Sequence, residues 1–530
     1  MGLVWELIVD FASSRSRLQS APKQRSAGSR ALLLATALGL CFTIGCSSTS
    51  NSSGGGGSGG GGGKGFTNAS LSGNYTYNLG GSFFGSSANG FYKRQGTFVA
   101  DGNGNITTGS DDLVQGSAPS TSAVTGSYNI ASDGTGLMML SIGGTQLQWA
   151  LTMTSDAQLT LIEFDSFASG AGGANLQTTS AFTSTPSGTF IFNVHSFQAN
   201  NASLASVSSV GSMNFSASTV TGNEDVVRAG VFSSATLTGT LSAPDATGKG
   251  SLSLTDSEGF ASTYFFYVID SNTLDLLETD SDTNGPHFGA GRADTQSGTP
   301  FTKASLKNGF VFTSSGDTES TIFGVVSVGG FTSDGNGNII SGSYDSAADG
   351  VPVSNAALGG TYTVDSNGRA VISLTSKITG LTSIPYVAWF VSPSRAFFLV
   401  DIPGISESGT LFQQTSSSFA GASLNGQFSF SMFGHDNQSP PQVNRVGVAT
   451  FNGNATLTLA DYFVNRSGSR NQTNQAGVTY AVGSNGRVTA SIPGITNTLV
   501  LYLISNSSGY MILEDPETEI AGGVTQQTAP

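Results

Sequence analysis

Gly96-Thr-Phe-Val-Ala-Asp101-Gly-Asn-Gly-Asn105-Ile-Thr-Thr-Gly109 decides the fold. Apolar and polar residues alternate into an Asp-Gly-Asn-Gly-Asn run and out again. Alternation reads as a half-buried strand, and the Asx-Gly steps supply the positive φ that tight hairpin turns require. The stretch predicts two antiparallel strands around one turn. It returns as Gly330-Phe331-Thr-Ser-Asp334-Gly-Asn-Gly-Asn338, so the hairpin belongs to a repeating unit.

Working outward, Leu71 to Tyr77, Gly126 to Ile130, Leu137 to Leu140, Leu147 to Met153 and Leu159 to Ile162 read as further strands, with a last segment ending near Gln177. That makes about eight short strands joined in sequence. The unit recurs four times. Its starts are Gly73-Asn-Tyr75, Gly188-Thr-Phe190, Gly309-Phe310 and Gly426-Gln-Phe428, and an aspartate follows at Asp165, Asp280, Asp401 and Asp515. Gln177, Gln296, Gln413 and Gln526 close the four copies, and units 1 and 3 are the most alike.

The expected fold is all-β: four tandem antiparallel meander domains of about 115 residues, each an eight-stranded barrel whose closure removes its exposed edges. Immunoglobulin-like β-sandwiches are the competing reading, although no Cys-Trp-Cys core is present. The predicted boundaries are 66–182, 183–302, 303–419 and 420–530. Each unit is long enough to bury a core. Only 10% of the residues are charged, and 72 are glycine, so long amphipathic helices are not expected.

Residues 1–45 read as a signal peptide. Basic residues precede the short apolar run Ala31–Gly45, which is too short to span a membrane. The apolar stretch Leu3–Val9 has no role there, and points to a translation start further downstream. The only cysteines are Cys41 and Cys46, so no disulfide framework is expected in the domains. Residues 46–65 form a Gly/Ser tether spanning on the order of 25 Å. The formal net charge is −14, and the part from Cys46 onward carries 15 basic against 32 acidic residues. That balance argues against nucleic acid as a partner.

Thr43-Ile44-Gly45-Cys46 resembles a bacterial lipobox, although Thr43 stands where Leu is preferred. The resemblance implies a diacylated Cys46, palmitate included, and a membrane attachment through that lipid. Ser47 rather than Asp after the cysteine favours the outer membrane or cell surface. The Gly-x-aromatic start resembles the Gly-x-Trp start of lipocalin-like barrels, with Tyr or Phe in place of Trp. From Cys46 on, the chain resembles bacterial lipoproteins built of tandem Gly-rich all-β repeats. That likeness implies envelope placement and no particular activity.

Chemistry is sparse. Asp101, Asn103 and Asn105 place oxygens at alternate positions, with Asp112 at the twelfth, and Asp334, Asn336, Asn338 and Asp345 repeat the spacing. Calcium takes six to eight such oxygens, but Ile106 and Ile339 stand where an EF-hand loop needs Gly. A hairpin turn chosen for its φ angles is the plainer reading. Glu163 with Asp165, and Glu278 with Asp280, share strand faces and are expected at solvated strand ends. Leu399 and Leu513 replace the glutamates in the other units. His195, His287 and His435 do not recur and show no metal-ligand spacing. The recurring aspartate is expected to cap a turn. Trp149 and Trp389 are expected in cores.

No catalytic residues and no cofactor are assigned. The sequence points to a non-enzymatic envelope lipoprotein whose domains bind a surface partner or serve a structural role. The alternatives are a carrier of small apolar ligands inside lipocalin-like barrels and, third, an envelope hydrolase.

Overall fold

The computed structural model describes residues 65–530, except 85–89, 116–118, 201–202, 283–284, 319–323, 349, 377–382, 437–441, 465–469, 494–496 and 516–517. The expected signal peptide, Cys46 and the expected tether up to residue 64 lie outside the described residues.

Four closed antiparallel barrels follow one another, and the sandwich reading does not hold. In barrel I the strands are Ser72–Phe83, Phe91–Asp101, Asn105–Val114, Ser120–Ile130, Thr135–Ile142, Thr145–Met153, Gln158–Glu163 and Ala168–Leu176. Barrels II, III and IV run from Gly188 to Thr295, Lys307 to Gln413 and Asn425 to Gln526. Each is a meander whose first and eighth strands pair, with Tyr75 opposite Leu176, Phe190 opposite Thr295, Phe310 opposite Gln413 and Phe428 opposite Gln526. Barrel II adds the two-residue strand Ser281–Asp282, and its seventh strand also pairs directly with its last.

The repeated start is a backbone requirement. Gly73, Gly188 and Gly426 have φ of 127°, 98° and 99°. In barrel III the left-handed residue is Asn308, at φ 83°, rather than Gly309. The matching triplet is therefore Asn308-Gly309-Phe310. Asparagine substitutes because its short polar side chain tolerates that region.

Each barrel is filled by inward-facing apolar residues. Barrel I buries Tyr75, Tyr77, Phe98, Met138, Trp149 and Leu161, and its Trp149 meets Tyr77 edge-on at 5.1 Å. Barrel III retains a void of about 20 Å³, walled by Phe312, Phe331, Tyr386 and Phe398. That is room for about one water, where a small-molecule ligand needs roughly 300 Å³ or more. That void is too small for an apolar cargo.

A short 3-10 turn precedes the barrels, at Asn68–Ser70, Thr179–Thr183, Lys303–Leu306 and Gly421–Ser423. In I, III and IV a buried tyrosine hydroxyl ties this turn down: Tyr128 donates to the Leu71 carbonyl, Tyr362 to Leu306 and Tyr480 to Leu424. A phenylalanine beside each turn (Phe66, Phe182, Phe301, Phe419) rests on the glycine between the fourth and fifth strands (Gly134, Gly248, Gly368, Gly486). Those glycines have φ of 84°, 82°, 93° and 89°; a Cβ on Gly134 or Gly248 would collide with the ring, and one on Gly368 or Gly486 would press on it at 3.0 Å. Two independent constraints thus select Gly there.

The barrels join head to tail. The outer face of strands one to three of each barrel packs on strands six to eight of the next. Between II and III, Ile191, Val210 and Val227 meet Trp389, Phe397 and Leu399. Between III and IV, Val311, Val326 and Val328 meet Val500, Tyr502 and Ile512. Phe91 and Val114 of barrel I meet Leu277 of barrel II. The fourth seam returns to the beginning: Val446, Tyr462 and Val464 of barrel IV pack on Ala150 and Ile162 of barrel I. A head-to-tail contact makes a closed ring when its rotations sum to a full turn, and here four copies close.

A glutamine clip repeats at every seam. The Gln177 side chain donates to the Thr247 and Val268 carbonyls, Gln296 to Asn367 and Phe390, Gln414 to Asn485 and Leu503, and Gln527 to Asp133 and Met153. The residue after each adds a backbone bond to the same barrel, ending with Thr528 N–H to the Thr154 carbonyl. The clip residues in barrels III and IV are therefore Gln414 and Gln527, one later than Gln413 and Gln526, because each doublet offers two glutamines. Gln527→Ala removes two hydrogen bonds that close the ring. It is expected to lower stability by about 1–3 kcal/mol and to speed amide exchange at Asp133 to Thr135 before other barrels respond, as hydrogen-exchange mass spectrometry would read.

Candidate functional site

The acidic turns and their twelfth-position aspartates part company in the structure. Asp101 Oδ1 accepts the amides of Asn103 (2.7 Å) and Asn105 (2.9 Å), and its Oδ2 accepts the Asn105 side chain at 2.7 Å. Asp334 repeats this with Asn336 and Asn338 at 2.7, 3.0 and 2.7 Å. The Asn338 side-chain donor, with the two amides, holds Asp334 down at about 2. These oxygens are spent on closing a hairpin turn. Asp112 lies seven residues further along the strand Asn105–Val114, roughly 20 Å from the turn. Asp345 sits likewise along Asn338–Ala348. Neither aspartate can share an ion with its turn.

Asp112 and Asp345 instead belong to a different repeated set. Register places Asp112, Asp225, Asp345 and Tyr462 at one position of the third strand, opposite Gln95, Val210, Val328 and Val446. Each of the three aspartates is buried, and each is gripped by the following barrel. Lys249 Nζ reaches Asp112 at 2.6 Å, and the Tyr267 hydroxyl donates to the same carboxylate. Arg369 pairs with Asp225 through Nε and Nη2 at 2.8 and 2.7 Å, and Trp389 Nε1 donates at 2.7 Å. Arg487 pairs with Asp345 at 2.9 and 2.5 Å, and the Tyr502 hydroxyl donates at 2.6 Å. Burial works to raise the Asp345 carboxyl, but the Arg487 and Tyr502 contacts outweigh it and hold it below the usual range.

Local sequence builds each lock. The basic residue opens the fifth strand, after the turns Asp245–Lys249, Asn367-Gly-Arg369 and Asn485-Gly-Arg487. The Asx side chain accepts the amide of Lys249, Arg369 or Arg487 at 3.1 Å and so aims the cation. The aromatic donor faces it on the sixth strand, as Lys249 opposite Tyr267, Arg369 opposite Trp389 and Arg487 opposite Tyr502. Trp389 is thus buried in the II–III seam, whereas Trp149 lies inside its barrel. Barrel I carries Thr135 and Thr152, which pair across the same strands, at the cation and aromatic positions. Its partner there is Tyr462, edge-on to Phe164 at 5.2 Å.

The carboxylate pairs at the seventh strand are not at solvated ends. Glu163 and Glu278 are 1% and 3% exposed. In barrel I the Tyr92 hydroxyl donates to Glu163, and Arg94, itself paired to Asp111 at 3.5 Å, lies close by. Burial pushes Glu163 up to about 7, with Arg94 and Tyr92 opposing and Asp165 and Asp111 reinforcing. The equivalent position in barrel III is Val400 rather than Leu399, because Val400 faces Tyr386 as Glu163 faces Trp149. The recurring aspartate does cap its turn in barrel I, where Asp165 Oδ1 accepts the amides of Phe167 (2.8 Å) and Ala168 (3.3 Å). In barrel II, Asp280 approaches His287 Nδ1 at 3.0 Å, a contact that sequence spacing concealed.

Two outcomes follow from these contacts. Asp345→Ala leaves Arg487 in the seam without its main partner and is expected to cost about 2–4 kcal/mol. Combined with Arg487→Ala in a thermodynamic cycle from denaturant melts, it should show a coupling of about 1–3 kcal/mol. Glu163 holds its proton more tightly folded than unfolded, so its contribution falls as pH rises from about 4.5 towards about 7. Glu163→Gln should therefore stabilise the protein at pH 8, by on the order of 3 kcal/mol at most. It should also flatten the pH 4.5–7 slope of stability in melts across pH.

No protein-family model matches this chain, and neither does any curated protein. Among solved structures, it is similar to transferrin binding protein B of Haemophilus parasuis at 11% identity, over 70% of this chain and 83% of that one, with a TM-score of 0.18. The isotype 1 protein from Neisseria meningitidis is similar at 9% identity, over 70% and 84%, with a TM-score of 0.17. Scores this low carry no argument about what this chain does.

Proposed function

We propose that this chain is a non-enzymatic lipoprotein of a bacterial envelope, a ring-shaped platform held to the outer membrane or cell surface by acylated Cys46. The observation that carries this reading is the closed ring. The buried acids Asp112, Asp225 and Asp345, with their cations and aromatic donors, hold barrel to barrel. Its barrel interiors are filled by their own side chains. What remains for contact is the outer surface, presented four times in fixed geometry, which suits multivalent engagement of a surface partner. A tether of Gly and Ser between Cys46 and the first barrel would lift that surface clear of the lipid.

The lipid requires Cys46 and the ring does not. Cys46→Ser should leave thermal unfolding unchanged and move the protein from the membrane to the soluble fraction, with loss of the acyl mass at the amino terminus. Continued membrane partitioning of the serine variant would overturn the anchor. A deletion strain with unchanged adhesion and envelope integrity, together with no partner captured by the intact ring, would overturn the platform reading.

A further inference from the structure

Barrel II holds a buried acid without the compensation its counterpart enjoys. Glu163 in barrel I has the Tyr92 hydroxyl and the Arg94 guanidinium around it. Aligning the barrels on Gly96 and Gly211, which face Asp111 and Glu224, puts Val207 and Ser209 where Tyr92 and Arg94 stand. Glu278 therefore lies in an equally buried place with that hydroxyl and guanidinium removed, and its Oε2 makes no hydrogen bond among the described residues. A buried carboxylate needs a compensating charge.

The compensation converges from the next turn and strand. Asp280 follows Glu278 by two residues, and His287 lies on the strand Gly285–Thr295. The His287 amide donates to the Asp280 carbonyl at 3.0 Å, which holds His287 beside Asp280. His287 Nδ1 is 3.0 Å from Asp280 Oδ2 and 3.8 Å from Glu278 Oε1. Donor atoms about 2.0–2.2 Å from a tetrahedral zinc ion stand roughly 3.3–3.5 Å apart, and the two separations bracket that edge. One ligand atom from each of the three residues lies within 4.8 Å of the others. The Thr263 amide donates to Asp280 Oδ1 at 2.9 Å, fixing the carboxylate so that Oδ2 faces the imidazole. Such outer contacts are what orient metal ligands. The His287 and Asp280 side chains are 16% and 12% exposed, so the group is reachable from solvent on one side.

We infer that Glu278, Asp280 and His287 bind one divalent transition-metal ion of the zinc class in barrel II. Two carboxylates and an imidazole that gives up its proton on binding cancel the charge of such an ion, and the nitrogen donor selects it over calcium or magnesium. The site is specific to this barrel. Ala168 occupies the place of His287 in barrel I, opposite Phe83 as His287 is opposite Gln198. Val400 and Leu513 replace the glutamate in barrels III and IV.

The test is zinc uptake by the chelator-stripped full chain, read by calorimetry and by metal analysis after gel filtration. One zinc per chain is expected, with a rise in melting temperature and no response to calcium or magnesium. His287→Ala and, separately, Asp280→Asn should weaken zinc binding at least tenfold while circular dichroism confirms folded barrels; if one variant does not fold, the other decides. No uptake by the unaltered chain would show that the three residues are an ion-paired cluster only, and equal uptake by the folded variants would place the zinc elsewhere. Either result overturns the site.

Discussion

The structure depends on one contact made four times. Strands one to three of a barrel present an apolar outer face, and strands six to eight of the next cover it. A barrel of this size has no free edges, but it still has two sides, and a second apolar side left in water would be a liability. Head-to-tail packing transfers that side to the following barrel, and only closure removes the last exposed one. The clip of Gln527 and Thr528 onto barrel I is the point at which the chain meets this demand.

The seam accounts for sequence features that a single barrel does not require. Val387-Ala-Trp-Phe-Val391 and Leu499-Val-Leu-Tyr-Leu503 are continuous apolar runs rather than alternating ones. Continuous runs indicate strands buried on both faces, one by the barrel core and one by the neighbour. Phe390 points into barrel III while Trp389 points into barrel II's flank. The barrel and its strand order were legible, because Asx-Gly turns and alternation are local signals. The ring was not, because sequence periodicity reveals copies and says nothing about which face of each copy meets the next.

The same limit governs the site. Asp112 and Asp345 stood out by their spacing from an acidic turn, yet their partners, Lys249 and Arg487, lie 137 and 142 residues away. The signal available was the Asn-Gly-Arg recurrence at 367–369 and 485–487, a cation placed where a hairpin turn needs none. Taken with three surplus acids at one strand position, it pairs the sets. The Glu278, Asp280 and His287 group was hidden for a different reason. It exists once, so repetition could not mark it, and Glu163 with Asp165 in barrel I made the acids look like ordinary repeat residues.

The four seams differ in kind, and the difference follows chain order. Three carry an acid, a cation and an aromatic donor, while the fourth sets Tyr462 against Phe164 and adds Arg470 donating to the Phe164 carbonyl at 2.9 Å. Buried ion pairs contribute little net stability over an apolar contact of the same shape, but a mispaired one leaves a charge uncompensated at a cost of several kcal/mol. The charges therefore penalise docking of an acid-bearing barrel on barrel I: the outer face of barrel III offers Asp345, and the receiving face of barrel I offers Thr135 and Thr152 rather than a cation. Joining III to I would bury that acid without a counterion. Barrel IV is the one whose third-strand position is uncharged, and it alone meets a receiving face that lacks a cation. The closing junction of the ring is thus marked by where the chain leaves its charges out.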